Sequence, residues 1–141
     1  MTKRRLGLPR LLTRAQIRED TAQREVADRE RTRTANEEAH VVKLAELRDA
    51  RAAQPAVIDA ATFQRQRSQL SAGARAVDEA AEAALVSREE LRMAQTRLYE
   101  TARERKTLER LDDRDRAMLA VLASRASQRA LDDLVTRKSA R

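Results

Sequence analysis

The stretch "ARAAQPAVIDAAT", Ala50 to Thr62, is the one place where this sequence stops reading as a helix. Pro55 has no N–H to donate, and its ring pushes Gln54 out of helical geometry. Asp59 follows as a candidate N-cap for the helix that resumes. Only two glycines and two prolines occur in 141 residues, so turns elsewhere are scarce. The other proline, Pro9, suits the first turn of a helix, where a missing N–H costs nothing. The expected organisation is a single helical hairpin over residues 1–141, with helix 1 about 9–53, a turn about 54–59 and helix 2 about 60–137.

Composition supports an all-α chain with a thin core. Ala, Glu, Lys, Leu and Arg make up 86 of the 141 residues, well past the rough half that marks long helices and coiled coils. Phe63 and Tyr99 are the only aromatics, and 38% of residues are charged. Such a chain can build a seam between helices but not a thick core. The net charge of +7 is uneven: residues 1–18 carry +6, residues 19–54 −2, residues 55–124 zero and residues 125–141 +3. A balanced middle of this kind is a solvated helix face laced with ion pairs.

Seam positions follow from spacing. Leu8, Leu12, Ala15, Glu19, Ala22 and Val26 recur at alternating steps of four and three, a heptad stripe with a charge at its centre. From Asp28 to His40 no large apolar residue appears, and the stripe is expected to resume at Val41, Leu44 and Leu47. That gap predicts a loose or locally separated pair. In helix 2, Phe63, Leu70, Val77, Ala84, Leu91 and Leu98 recur every seven residues. Gly73, Ala80, Ser87, Ala94 and Thr101 fill the intervening positions.

Two heptad segments around one break predict an antiparallel coiled-coil hairpin whose second helix is longer and overhangs. The arms are about 68 Å and about 117 Å at 1.5 Å per residue. With the turn centred near residue 55, position i faces about 110 − i and Pro9 lies opposite Thr101. "RERKTLERLDDRDR", Arg103 to Arg116, then overhangs unpartnered and opens a stripe of Leu108, Leu111, Met118 and Leu122, flanked by Arg114. A stripe with nothing of its own to cover suits a partner protein or a second copy.

Enzymatic chemistry is poorly supplied. His40 is alone and reads as a surface or seam residue, and there is no cysteine. The carboxylate pairs Glu37–Glu38, Glu89–Glu90 and Asp112–Asp113 are adjacent on helices and point to different faces. No phosphate loop, nucleophile–base spacing, metal set or cofactor motif is present, so the chain reads as a non-enzyme without cofactors. "TKRR" with Arg10, Arg14 and Arg18 is a short basic stripe. It supports the alternatives of a basic coiled-coil protein binding nucleic acid or a membrane surface, or of a generic scaffold. "MTKRRLGLPRLL" is too short and too broken in its apolar run for a signal peptide. No stretch approaches the ~20 apolar residues of a membrane span, so a soluble, cytoplasmic protein is expected.

Three segments together resemble the FliJ family, the small coiled-coil component of the flagellar export apparatus. "LGLPRLLTRAQIRED", Leu6 to Asp20, is similar to that family's opening, with a basic start and a leucine pair. "ERKTLERLDDRDR", Glu104 to Arg116, resembles its K-x-L-E-K-L segment, and "SQRALDDLVTRK", Ser127 to Lys138, its closing Q-x-x-L-D-E stretch. The stalk proteins of injectisome-type secretion systems are wider relatives.

The resemblance implies a role in bacterial flagellum biogenesis and motility. It implies a type III secretion stalk that enters the ring of the export ATPase (FliI), promotes its assembly and couples it to the export gate (FlhA). Escort of export chaperones is also implied, as is a cytoplasmic location peripheral to the inner membrane. Leu108, Leu111, Arg114, Met118 and Leu122 are the candidate ATPase contact. Phe63, Leu70 and Val77 are the candidate gate contact, with Arg67 departing from the apolar residue more usual there.

Overall fold

A computed structural model describes residues 7–53 and 59–139. The described residues form two helices packed against each other, α1 (Leu8–Ala52, 45 residues) and α2 (Ala60–Ser139, 80 residues), and no strand. Most of the expected turn about 54–59, and Arg4 and Arg5 of the basic N-terminus, lie outside the described residues. The second helix starts as its sequence requires. The Thr62 N–H donates to Asp59 Oδ1 at 2.7 Å, so Asp59 caps the first turn. Hydrogen bonds from Thr62 hold the Asp59 carboxyl below its ordinary value.

The chain divides into two compact units. A terminal unit joins α1 up to Glu19 with α2 from Glu100, and a middle unit comprises Asp20–Tyr99. One heptad frame serves the α1 segments of both. Residues 8, 12, 15, 19, 22, 26, 29, 33, 36, 40, 43 and 47 are buried or half-buried, while nearly every other α1 side chain is exposed. With Leu12 as position a and Ala15 as d, this is an unbroken four–three alternation. The α2 frame has Leu70, Val77, Ala84, Leu91, Leu98 and Arg105 at a. Gly73, Ala80, Ser87, Ala94, Thr101 and Leu108 stand at d.

Ion pairs across the seam give direction and register. In the middle unit Arg97 reaches Glu25 at 2.9 Å, Arg29 reaches Glu90 at 2.7 Å, and Arg88 reaches Glu37 at 2.7 Å. In the terminal unit Arg18 lies 3.4 Å from Glu104, and Arg105 donates to Glu19 from one a position to another. Numbers rise on one helix as they fall on the other, as antiparallel pairing requires. Glu25, Arg97, Arg18 and Glu104 all stand at g, and Glu37 and Arg88 at e. Like-lettered flanks face each other in an antiparallel pair.

Two expectations are corrected here. The partners sum to about 122 rather than 110, so α1 lies about twelve residues further along α2 than the turn position implied. Arg103 to Asp112 therefore does not overhang, because Glu104 and Arg105 are paired with Arg18 and Glu19. The physical reason is an offset connection. In this register Ala52, the last residue of α1, faces about residue 70, so α2 runs some ten residues before it meets α1.

The second correction concerns the polar gap of α1. Val41 and Leu44 are exposed, and the frame instead continues through Arg29, Arg33, Asn36, His40 and Lys43 to Leu47. The pair is not separated there. Ala84, Ser87, Leu91 and Ala94 are all buried, Ala94 to 1% exposure. Small residues on α2 leave room for long polar side chains on α1, whose aliphatic stems can cover the alanine face. Two polar groups in this layer find partners, Asn36 Nδ2 donating to the Ala83 carbonyl at 3.3 Å and Ser87 Oγ to the Ala84 carbonyl at 2.9 Å, whereas Arg33 Nε is buried without one among the described residues.

Candidate functional site

Two surfaces follow from the fold, one near each end of α2. The first is in the middle unit. Phe63 belongs to the opening turns of α2, before the level at which α2 meets the end of α1, and is 56% exposed. Its N–H completes the first helical turn by donating to the Asp59 carbonyl. Leu70 is half-buried, and Val77 is buried in the seam. The three residues expected at a gate contact therefore have three environments. Only Phe63 presents most of its surface, while Val77 anchors the helix that carries it.

The second surface is in the terminal unit. Leu108, at d, is half-buried and lines a hollow with Leu11, Ala15 and Thr107. Arg14, Arg18 and Arg103 rim it, with Glu104 holding Arg18. Leu111 is 47% exposed, Met118 58% and Leu122 52%, and Arg114 is also exposed. Leu108 thus belongs partly to the helix pair, whereas Leu111, Met118 and Leu122 present about half of their surface. Beyond Leu119 every described α2 side chain is exposed.

Leu11 was not expected at this surface, and register brings it there. It stands at g seven residues before Arg18, and Leu111 stands at g seven residues after Glu104. The register that pairs Arg18 with Glu104 places Leu11 opposite Leu111. The signal was present as two seven-residue steps, but it becomes legible only once one ion pair fixes the register.

Charge around the second surface is arranged by packing. Arg105 bridges Glu19 and Glu109, and the Glu19 bond chiefly raises its already high pKa. Asp112 continues the α2 frame and is held by Arg116 at 2.5 Å. No group of three or more His, Cys, Asp or Glu among the described residues is placed to hold a metal ion. No helix among them is long and apolar enough to cross a membrane. His40 occupies a half-buried seam position. The arrangement offers apolar ridges edged with arginine, suited to meeting another protein.

The family model described as Flagellar FliJ protein matches residues 5–141, essentially the whole chain. No curated protein and no solved structure matches the chain.

Proposed function

The chain belongs to the FliJ family of flagellar proteins, and from that premise we propose that it is a non-enzymatic stalk of the type III export apparatus. Membership makes it a flagellar export component; its contacts are the proposal. In this reading the hairpin's longer helix carries its distal stripe into the ring of a FliI-like export ATPase and promotes ring assembly. The observation that carries the reading is the exposed run of Met118 and Leu122 on α2 beyond the level of Leu8, where α1 begins, continuous with exposed Arg114 and with Leu111 at the edge of the helix pair. Leu108 joins the same ridge from the seam. Methionine and arginine are enriched in protein interfaces over the rest of the surface, and the half-exposed leucines add apolar area beside them.

A pull-down with the export ATPase tests this contact. Met118→Glu with Leu122→Glu is expected to lower affinity at least about tenfold, as a buried charge in an apolar contact does. Circular dichroism should stay unchanged, since neither side chain is buried. Full binding by the double variant, or no effect of the wild-type chain on ATPase assembly, would remove the reading. Leu108 is a poorer probe, because a charge there also disturbs its contact with α1.

The opening turns of α2 supply the proposed contact with a FlhA-like export gate, through Phe63 with Leu70 and Val77 behind it. Phe63→Ala should weaken gate binding by about tenfold, the loss typical of an aromatic anchor. An unchanged affinity would free Phe63 of that role. Chaperone escort and a place at the inner-membrane face of the apparatus follow from the family and extend the same proposal.

A further inference from the structure

The longest uncharged apolar run in this charge-rich chain is "AMLAVLA", Ala117 to Ala123, in the distal part of α2. Met118, Val121 and Leu122 in it are all more than half exposed. Two charges, Asp115 and Arg116, precede the run, and Arg125 follows it after Ser124; Arg116 is paired with Asp112, which leaves Asp115 and Arg125. Neither charge can be satisfied along its own helix, where the neighbours are three and four residues away. For Asp115 these are Leu111, Asp112, Met118 and Leu119; for Arg125 they are Val121, Leu122, Gln128 and Arg129. Both side chains are exposed, and neither forms an ion pair among the described residues.

We infer that this face is covered by a second copy of the chain, in antiparallel pairing centred at the level of Ala120. The pattern is self-complementary in that arrangement, with residue i meeting 240 − i of the other copy. Asp115 then meets the second copy's Arg125 and Arg125 its Asp115. Met118 meets Leu122 twice, and Leu119 and Val121 approach their own equivalents on the two flanks. A twofold axis gives this reciprocity for one helix against itself. Parallel in-register pairing would set Asp115 on Asp115 and Arg125 on Arg125, so the charges also exclude the competing direction.

The pairing does not depend on the ATPase contact, but it uses Met118 and Leu122, so the two associations exclude one another. Self-association then stores the stripe covered until the ring competes for it, and a lone helix end with no other partner gains support.

Sedimentation equilibrium on the purified full chain, alone, tests the inference. A reversible dimer is expected for the wild type. Asp115→Arg and Arg125→Asp are each expected to weaken dimerisation by about tenfold or more, as like charges at an interface do. The double exchange, which restores both pairs, should return it to within about threefold. Mixing the two single variants should give heterodimers, which shows that each is folded and competent. A wild type monomeric up to ~100 μM, far above a useful affinity, would overturn the inference. So would a double exchange as weak as the singles. Neither result would bear on ATPase binding, which is measured with the ATPase present.

Discussion

Gly73 shows how a single residue is set by what lies across the seam. It is the only glycine inside α2, at a d position, and its backbone has no positive φ to require it. A methyl added there would come 3.2 Å from Leu47 Cδ1. That contact is tight, but its far side is the tip of a leucine bordering an open hollow with Lys43, Ala50 and Ala72. Alanine in mid-helix is favoured over glycine by about 1 kcal/mol, and a small swing of Leu47 relieves the contact. Gly73→Ala should therefore raise the melting temperature seen by circular dichroism, and Gly73→Leu lower it. A lower value for alanine would mean that close approach of the helices outweighs propensity. At this scale Asp59 was legible because N-capping is local chemistry. The exposure of Val41 and Leu44 was not. Local hydropathy favours them for the seam, but a straight helix keeps its heptad frame, and counting on from Leu12 lands on His40 and Lys43.

At the scale of the helix pair, the middle unit depends on charge as much as on apolar contact. Arg88 Nε donates to Glu37 Oε1 at 2.7 Å, with Arg33 on the other side of the carboxylate. The hydrogen bond from Arg88 is the main reason the Glu37 carboxyl is held below its ordinary value of 4.5, with the charges of Arg33 and Arg88 adding to it. Glu89 is lowered likewise by Arg92. A depressed folded-state pKa means that the unfolded chain binds the proton first. The stabilisation is complete above the unfolded value and is lost as pH falls through the folded one. Urea midpoints should be flat from neutrality to about pH 5 and fall below about pH 4, where carboxylates protonate. Arg88→Gln should lower the plateau and make the acid limb shallower; an identical limb would show that Glu37 contributes nothing. The periodicity of α2 was readable because Val77, Ala84, Leu91 and Leu98 hold it without interruption. The register was not, because it depends on where the chain re-enters the pair after α1, and Pro55 marks only where α1 stops.

For the molecule as a whole, fold class and family were legible from composition, one break and three charged segments in order. The makeup of the surfaces was less so. Leu108 reads in sequence as equal to Leu111, yet one turn of helix separates a residue beside α1 from one half open to solvent. The same few ion pairs that fix the register also behave as a check digit. Suppose α2 slipped by one heptad either way, preserving every apolar stripe. Glu25 would then face Glu90 or Glu104 in place of Arg97, and Arg18 would face Arg97 or Leu111 in place of Glu104. Glu19 would face Leu98 or Asp112 in place of Arg105. Each slip turns attraction into repulsion or strands a charge against leucine. A seam of alanines cannot tell one heptad from the next. Three sparse ion pairs, individually weak in water, give the chain its error detection.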